Sequence, residues 1–194
     1  GTWKSFGVMQ ILDKQDGLRQ YAGPGHWNDP DMMQVGNGMS YNQERAHFTM
    51  WAMLAAPLIS GNDLRSMSQQ TLSVLTNREV IAINQDTLGI QGLKTAVTDS
   101  VETWLKPLAD GSWALVYLNR SKSPKSITVD WKSFKVFDEL SARTFDTTSK
   151  DVFIIRDLWL KKEIGDTRKP LQATIGVEDV LCLKITKKPV KSRK

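Results

Sequence analysis

The 194-residue chain is short of the residues that most often announce chemistry, with one cysteine and two histidines. A single cysteine excludes any disulfide within the chain, and its absence assigns no cellular compartment. Cys182 sits in the apolar run Val180-Leu181-Cys182-Leu183, where a free thiol behaves as a small hydrophobe. His26 and His47 stand alone, without a cysteine or histidine at metal-ligand spacing, so a structural role is expected for both and no metal or other cofactor is implied. No apolar stretch is long enough to span a bilayer, and no membrane partner is expected. The chain opens at Gly1-Thr2-Trp3 with neither a methionine nor a signal-type segment, so a preceding piece is expected and localisation is left open.

The excess of basic charge is equally uninformative once it is located. Of the 26 Lys and Arg, five fall in residues 187–194, and removing them leaves 21 against 21 acids. Residues 1–89 hold eight acids and six bases. A basic stripe interleaved with aromatics, the footprint of nucleic-acid binding, is missing, and the 187–194 tail reads as a solvated terminus. With 40% hydrophobic residues the remainder has enough apolar material for a real core.

Two textures divide that remainder. In residues 1–89, apolar residues recur at helical spacing from an N-cap at Thr2 through Trp3, Phe6, Val8, Met9, Leu12 and Leu18, predicting a helix up to the Ala22-Gly23-Pro24-Gly25 stop. A loop rich in Gly, Asn, Asp and Pro follows, with Met32, Met33 and Val35 as a short strand-like core. Ser40, with Gln43 three residues on, predicts a capped helix running to Pro57. Leu58-Ile59-Ser60 has strand length, and Ser68 to Asn84 reads as one more helix. Helices alternating with short buried strands are what a slice of a parallel α/β fold looks like.

After Gly89 the period becomes two. Candidate strands are 93–98, 101–105, 113–118, 126–131, 152–159 and 180–185, with turns at Asp110-Gly111, Ser123-Pro124 and Ile164-Gly165. This predicts an antiparallel β-sandwich over residues 90–186.

The segment Gly23-Pro24-Gly25-His26-Trp27-Asn28-Asp29-Pro30-Asp31-Met32 is the most specific feature. It is a rigid loop carrying two carboxylates beside a strand, where α/β barrels keep ligand groups. Its plain reading is a turn in which Asn28 and Asp29 bond their own backbone. The chain also carries Val35-Gly36-Asn37, Trp51 to Leu58, Gly61-Asn62-Asp63-Leu64-Arg65, and Asn84-Gln85-Asp86 with Leu88-Gly89. In this order, and more loosely in Val116 to Arg120 and Arg156 to Trp159, the sequence resembles glycoside hydrolase family 27, which contains α-galactosidases and α-N-acetylgalactosaminidases. Thr87 departs from that family's usual proline, in a loop.

The resemblance implies the end of a (β/α)8 barrel in residues 1–89, the β-sandwich behind it, and hydrolysis of terminal α-D-galactosides in oligosaccharides or glycoconjugates. It also implies two catalytic aspartates about 5 Å apart. Both are expected upstream, the acid/base a few residues before the tryptophan matching Trp3, so no catalytic residue is assigned here and the upstream barrel half is an expected partner. Asp31 and Met32 match pocket residues of the family, and both are expected to position substrate. Trp27 either offers a ring face to the sugar or packs beneath the loop. An Asp63/Arg65 pair is expected to fix its own loop. α-N-Acetylgalactosaminidase and β-L-arabinopyranosidase activities stay open, as does a non-catalytic carbohydrate-binding module.

Overall fold

The computed structural model describes Trp3 and residues 7–189, so the expected cap at Thr2, the apolar Phe6 and the last five residues of the basic tail lie outside the described residues. Ten strands and four α-helices are described, the helices all before the strands. No helix among them is long and apolar enough to cross a membrane.

The helical half departs from its expected outline at three helices, one of them the helix expected to run to Pro57, which ends at Met53 before Ala55 turns left-handed at a φ of 52°. The opening helix is shorter: α1 spans Val8–Lys14 from an extended Gly7, and the chain turns away through Gly17, whose φ is 77°. Left-handed backbone at that glycine ends the helix, although Leu18 continues the apolar period. The expected helix from Ser68 to Asn84 is two helices, α3 Gln69–Leu75 and α4 Arg78–Asn84. Asn77 breaks it, because its side chain accepts from the backbone N–H groups of Glu79 and Val80 and so caps α4. Between the loop and this pair lies α2, Tyr41–Met53, which opens on the predicted Ser40/Gln43 capping box. The two strand-like runs touch at one parallel bridge, Met33 to Ser60.

The β-half is built on a six-stranded antiparallel sheet in the order β1-β2-β3-β10-β7-β8. Its strands are β1 Leu93–Thr98, β2 Val101–Pro107, β3 Trp113–Asn119, β7 Phe153–Asp157, β8 Lys162–Asp166 and β10 Val180–Lys187. β8 occupies the place where a turn at Ile164-Gly165 was expected; the glycine instead marks a register shift against β7. A second layer is made of two pairs, β4 Lys125–Val129 with β9 Leu171–Ile175, and β5 Lys135–Asp138 with β6 Arg143–Asp146.

Alternation along β3 shows how the layers stack. Trp113, Leu115 and Tyr117 join Val129, Trp131 and Phe145 in the core under the second layer. Ala114, Val116 and Leu118 face the other way and merge with Trp51, Met53 and Val80 of the helices in one continuous core. All seven β3 residues are therefore buried, which explains its unbroken apolar run. Polar fasteners border this interface: Arg120 reaches Asp13 at 2.6 Å, Arg156 grips Glu79 with two bonds of 2.7 Å, and the Asn77 amide donates to Leu158 O at 3.1 Å. Lys106 is fully buried and donates to Ala52 O at 3.0 Å, at the C-terminal end of α2 where backbone carbonyls lack helical partners.

Candidate functional site

The Gly23–Gly38 loop has no ladder of its own, so its shape depends on side chains. It begins with a tight turn in which Gly23 and His26 exchange backbone hydrogen bonds of 2.8 and 3.0 Å. Asn28 donates to Leu18 O at 2.8 Å and to Gln91 Oε1 at 2.9 Å, tying the loop to both halves. Asp29 Oδ1 accepts from Asp31 N at 2.9 Å. Asp29 therefore spends one oxygen on the turn, as the plain Asx reading expects.

Asp31 has a φ of 76°, a left-handed conformation that aspartate and asparagine tolerate better than most residues. One carboxylate oxygen, Oδ1, accepts from Met32 N at 2.7 Å, and the residue is exposed. Ionised, that side chain is acceptor-only, and its other oxygen has no hydrogen bond among the described residues. Met32 is 58% exposed, with its terminal methyl beside Gly61, where a Cβ would lie 3.2 Å from it. Across from them Asn62 packs on Gly36, whose φ of 89° and lack of a side chain leave room for the amide. Asp63 and Arg65 form the expected local pair, with two contacts of 3.0 Å, and hold their own loop.

The support beneath comes from one stripe of α2. Glu44 accepts from Gly36 N at 2.8 Å, His47 Nε2 accepts from Gln34 N at 2.9 Å, and Trp51 Nε1 donates to Asp31 O at 3.2 Å. These residues are three and four apart in turn, so one helix face reaches three backbone groups of the loop. His47 is fully buried and stacks edge-on to Trp51 with ring centroids 4.0 Å apart. Burial pushes its pKa down to about 3, so it is a neutral acceptor near neutral pH, in keeping with the structural role expected of it. Glu44 also accepts from the Thr71 hydroxyl at 3.2 Å. In the sequence Glu44 carried no signal and Trp51 read as helix packing, since Glu44 to Trp51 is a mixed polar, aromatic and apolar stretch in which nothing marks the face under the loop.

Trp27 is placed elsewhere. Its ring lies against Gly89, where a Cβ would be 2.9 Å away, and it lines a cleft of about 430 Å³ with Ala55, Pro57, Gln85 and Thr87. Asp31 and Met32 do not line that cleft. The three residues expected to meet the sugar are thus not brought together, and Trp27, 47% exposed in the cleft, is not packed beneath the loop as its alternative reading has it. Among the described residues no group of three or more His, Cys, Asp or Glu is arranged to hold a metal ion.

Four helices and a ligand-type loop, joined by one parallel bridge, are thus followed by a two-layer β-sandwich packed on the same core. Residues 2–86 match the model described as alpha galactosidase A, and residues 98–185 the one described as alpha galactosidase C-terminal beta sandwich domain. The alpha-galactosidase A of Cellvibrio japonicus is 47% identical over 188 residues, covering 96% of this chain and 46% of that protein. The alpha-N-acetylgalactosaminidase of Gallus gallus is 46% identical over 125 residues, covering 61% of this chain and 30% of that protein. Alpha-galactosidase I from Mortierella vinacea superposes with a TM-score of 0.79 at 30% identity, covering 92% of this chain and 44% of that one. The chain belongs to glycoside hydrolase family 27, the α-galactosidase family, and corresponds to its C-terminal half. It spans less than half the length of these relatives.

Proposed function

We propose that this chain is part of a retaining exo-glycosidase that removes terminal α-D-galactosyl residues from oligosaccharides or glycoconjugates, with Asp31 and Met32 positioning the sugar. The observation that carries the reading is the Asp31 carboxylate, exposed on a loop whose backbone is pinned from below by Glu44, His47 and Trp51. An acceptor with no hydrogen bond among the described residues, on a rigid mount, suits recognition of sugar hydroxyls, because little ordering remains to be done on binding. Family relatives named as α-galactosidases support the substrate class.

The chemistry itself is assigned to carboxylates outside this chain. A retaining mechanism needs two of them about 5 Å apart on opposite sides of the anomeric carbon. Asp29 and Asp31 belong to one turn, with the Asp29 carboxylate bonded to the Asp31 backbone, and cannot flank a sugar ring. The isolated chain is therefore inactive, and its catalytic partner is a preceding barrel half. α-N-Acetylgalactosaminidase or β-L-arabinopyranosidase activity is the alternative within the family, and a non-catalytic carbohydrate-binding module the alternative outside it.

Co-expression with a family barrel segment that carries the two carboxylates tests this. Hydrolysis of an α-galactoside in preference to an α-N-acetylgalactosaminide and a β-L-arabinopyranoside is expected. A folded complex that prefers either other substrate, or cleaves none, contradicts it.

A further inference from the structure

A second cleft, of about 350 Å³, opens in the β-sandwich between the main sheet and β4. It shares no residue with the Asp31 loop, and its size is that of a small-molecule site. One wall is the sheet face carrying Val101 and Thr103 of β2 and Tyr117 of β3, the last two being register partners. The other wall is β4, whose Val129 is buried, together with the half-buried ring of Phe134.

Tyr117 lies in the lining with only 6% of the residue exposed, and its hydroxyl, not fully buried itself, has no hydrogen-bond partner among the described residues. A ligand that covers it has to supply a polar partner. Burial also raises its pKa, so the group stays a hydroxyl, able to donate and accept. At the mouth Lys125 bonds Asp99 at 2.7 Å. Asp99 and Ser100, with φ of 47° and 65°, make the tight β1–β2 turn that presents this carboxylate.

These groups select among ligands. Asp99 and Asp130 on the lining oppose an anion, Lys125 opposes a cation, and a wholly apolar ligand leaves the Tyr117 hydroxyl unpaired. A neutral ring with an apolar face and several hydroxyls satisfies all of them: the face lies on Phe134, while hydroxyls meet Tyr117, Thr103 and the Asp99–Lys125 pair. We propose that this cleft binds a pyranose residue of a glycan, giving the sandwich a sugar site of its own. The proposal does not depend on the reading of Asp31.

The test is an amide-shift titration of the 194-residue chain with D-galactose and D-glucose. Saturable shifts at 101–103, 117 and 127–130 are expected with either sugar, with a Kd on the order of millimolar. Tyr117→Phe keeps the ring and should weaken binding about 2- to 10-fold without lowering Tm. Lys125→Gln, at the rim, should weaken it as well. No saturable shift at about 100 mM sugar, equal affinity in Tyr117→Phe, or saturation by inorganic phosphate instead of sugar overturns the proposal. Shifts confined to residues 29–37 also overturn it, while supporting the separate reading of the Asp31 loop.

Discussion

Asp31→Asn, made in an enzyme that contains this segment, separates the substrate role of the carboxylate from its structural one. The backbone at Asp31 is left-handed, and asparagine accepts that conformation as readily as aspartate. The asparagine carbonyl can keep the 2.7 Å bond from Met32 N, and Trp51 bonds the main-chain oxygen, which the substitution leaves untouched. No cavity opens, because the side chain is exposed. The folding cost should therefore stay within about 0.5 kcal/mol. Catalysis should suffer more, since the amide puts donors where sugar hydroxyls meet a charged acceptor. Losing charge-assisted hydrogen bonds costs about 1.5–3 kcal/mol, or roughly 10- to 150-fold in kcat/KM if they persist in the transition state. Asp29→Asn is the control: its carboxylate serves the Asp31 N–H, a bond the amide oxygen can retain. Steady-state kinetics of both variants beside their melting temperatures make the comparison. If Asp29→Asn is the more damaging at equal stability, or if Asp31→Asn unfolds the enzyme, the assignment of Asp31 to the pocket is refuted.

Asn77→Ala should lower stability by about 1–3 kcal/mol, because it removes the α4 cap and leaves the buried Leu158 carbonyl without its donor; a denaturant midpoint equal to that of the parent would contradict this. For His47 the folded pKa of about 3 lies below the ordinary 6.5, so the unfolded chain binds the extra proton and stability falls as pH drops from about 6.5 toward 3. Urea titrations at pH 7 and 5 should show a loss of about 2 kcal/mol from this group, and a flatter response in His47→Gln. Burial likewise lowers Lys106 to about 7, with the nearby Asp86 opposing the shift, so this group makes stability rise between about pH 7 and 10.5. Lys106→Met should raise Tm at pH 6 and do so less at pH 9; a gain that grows with pH would be inconsistent with a buried, costly charge.

Much of this was legible in the sequence, for reasons that differ by element. β1 was predicted over its observed span, because alternation and a two-residue turn before β2 bound it on both sides. α2 announced itself through Ser40 and Gln43. The break at Asn77 was hidden, since Leu75, Val80 and Ile83 carry the apolar period across it while the cap is a single polar residue. β5, β6 and β8 were missed because they are short or mostly polar and bury little, at a sheet edge or in a two-stranded pair. β9 was missed although Leu171, Ala173 and Ile175 alternate with Gln172 and Thr174. The loop with Asp31 and Met32 stood out by its motif. What fixes it did not, because Glu44, His47 and Trp51 lie on a different element, brought under the loop only by folding. Tyr117 was invisible for the opposite reason: in Trp113 to Leu118 it looks like one more core residue.

The central claim is that this chain holds sugar-positioning groups but no catalytic carboxylate pair. The most direct measurement is the rate at which the purified, sequence-verified 194-residue chain cleaves a chromogenic α-galactoside, beside the same chain combined with a barrel half that supplies the two aspartates. Turnover no faster than buffer for the chain alone, and activity only in the combination, is the predicted result. Enzymatic hydrolysis by the chain alone would contradict it.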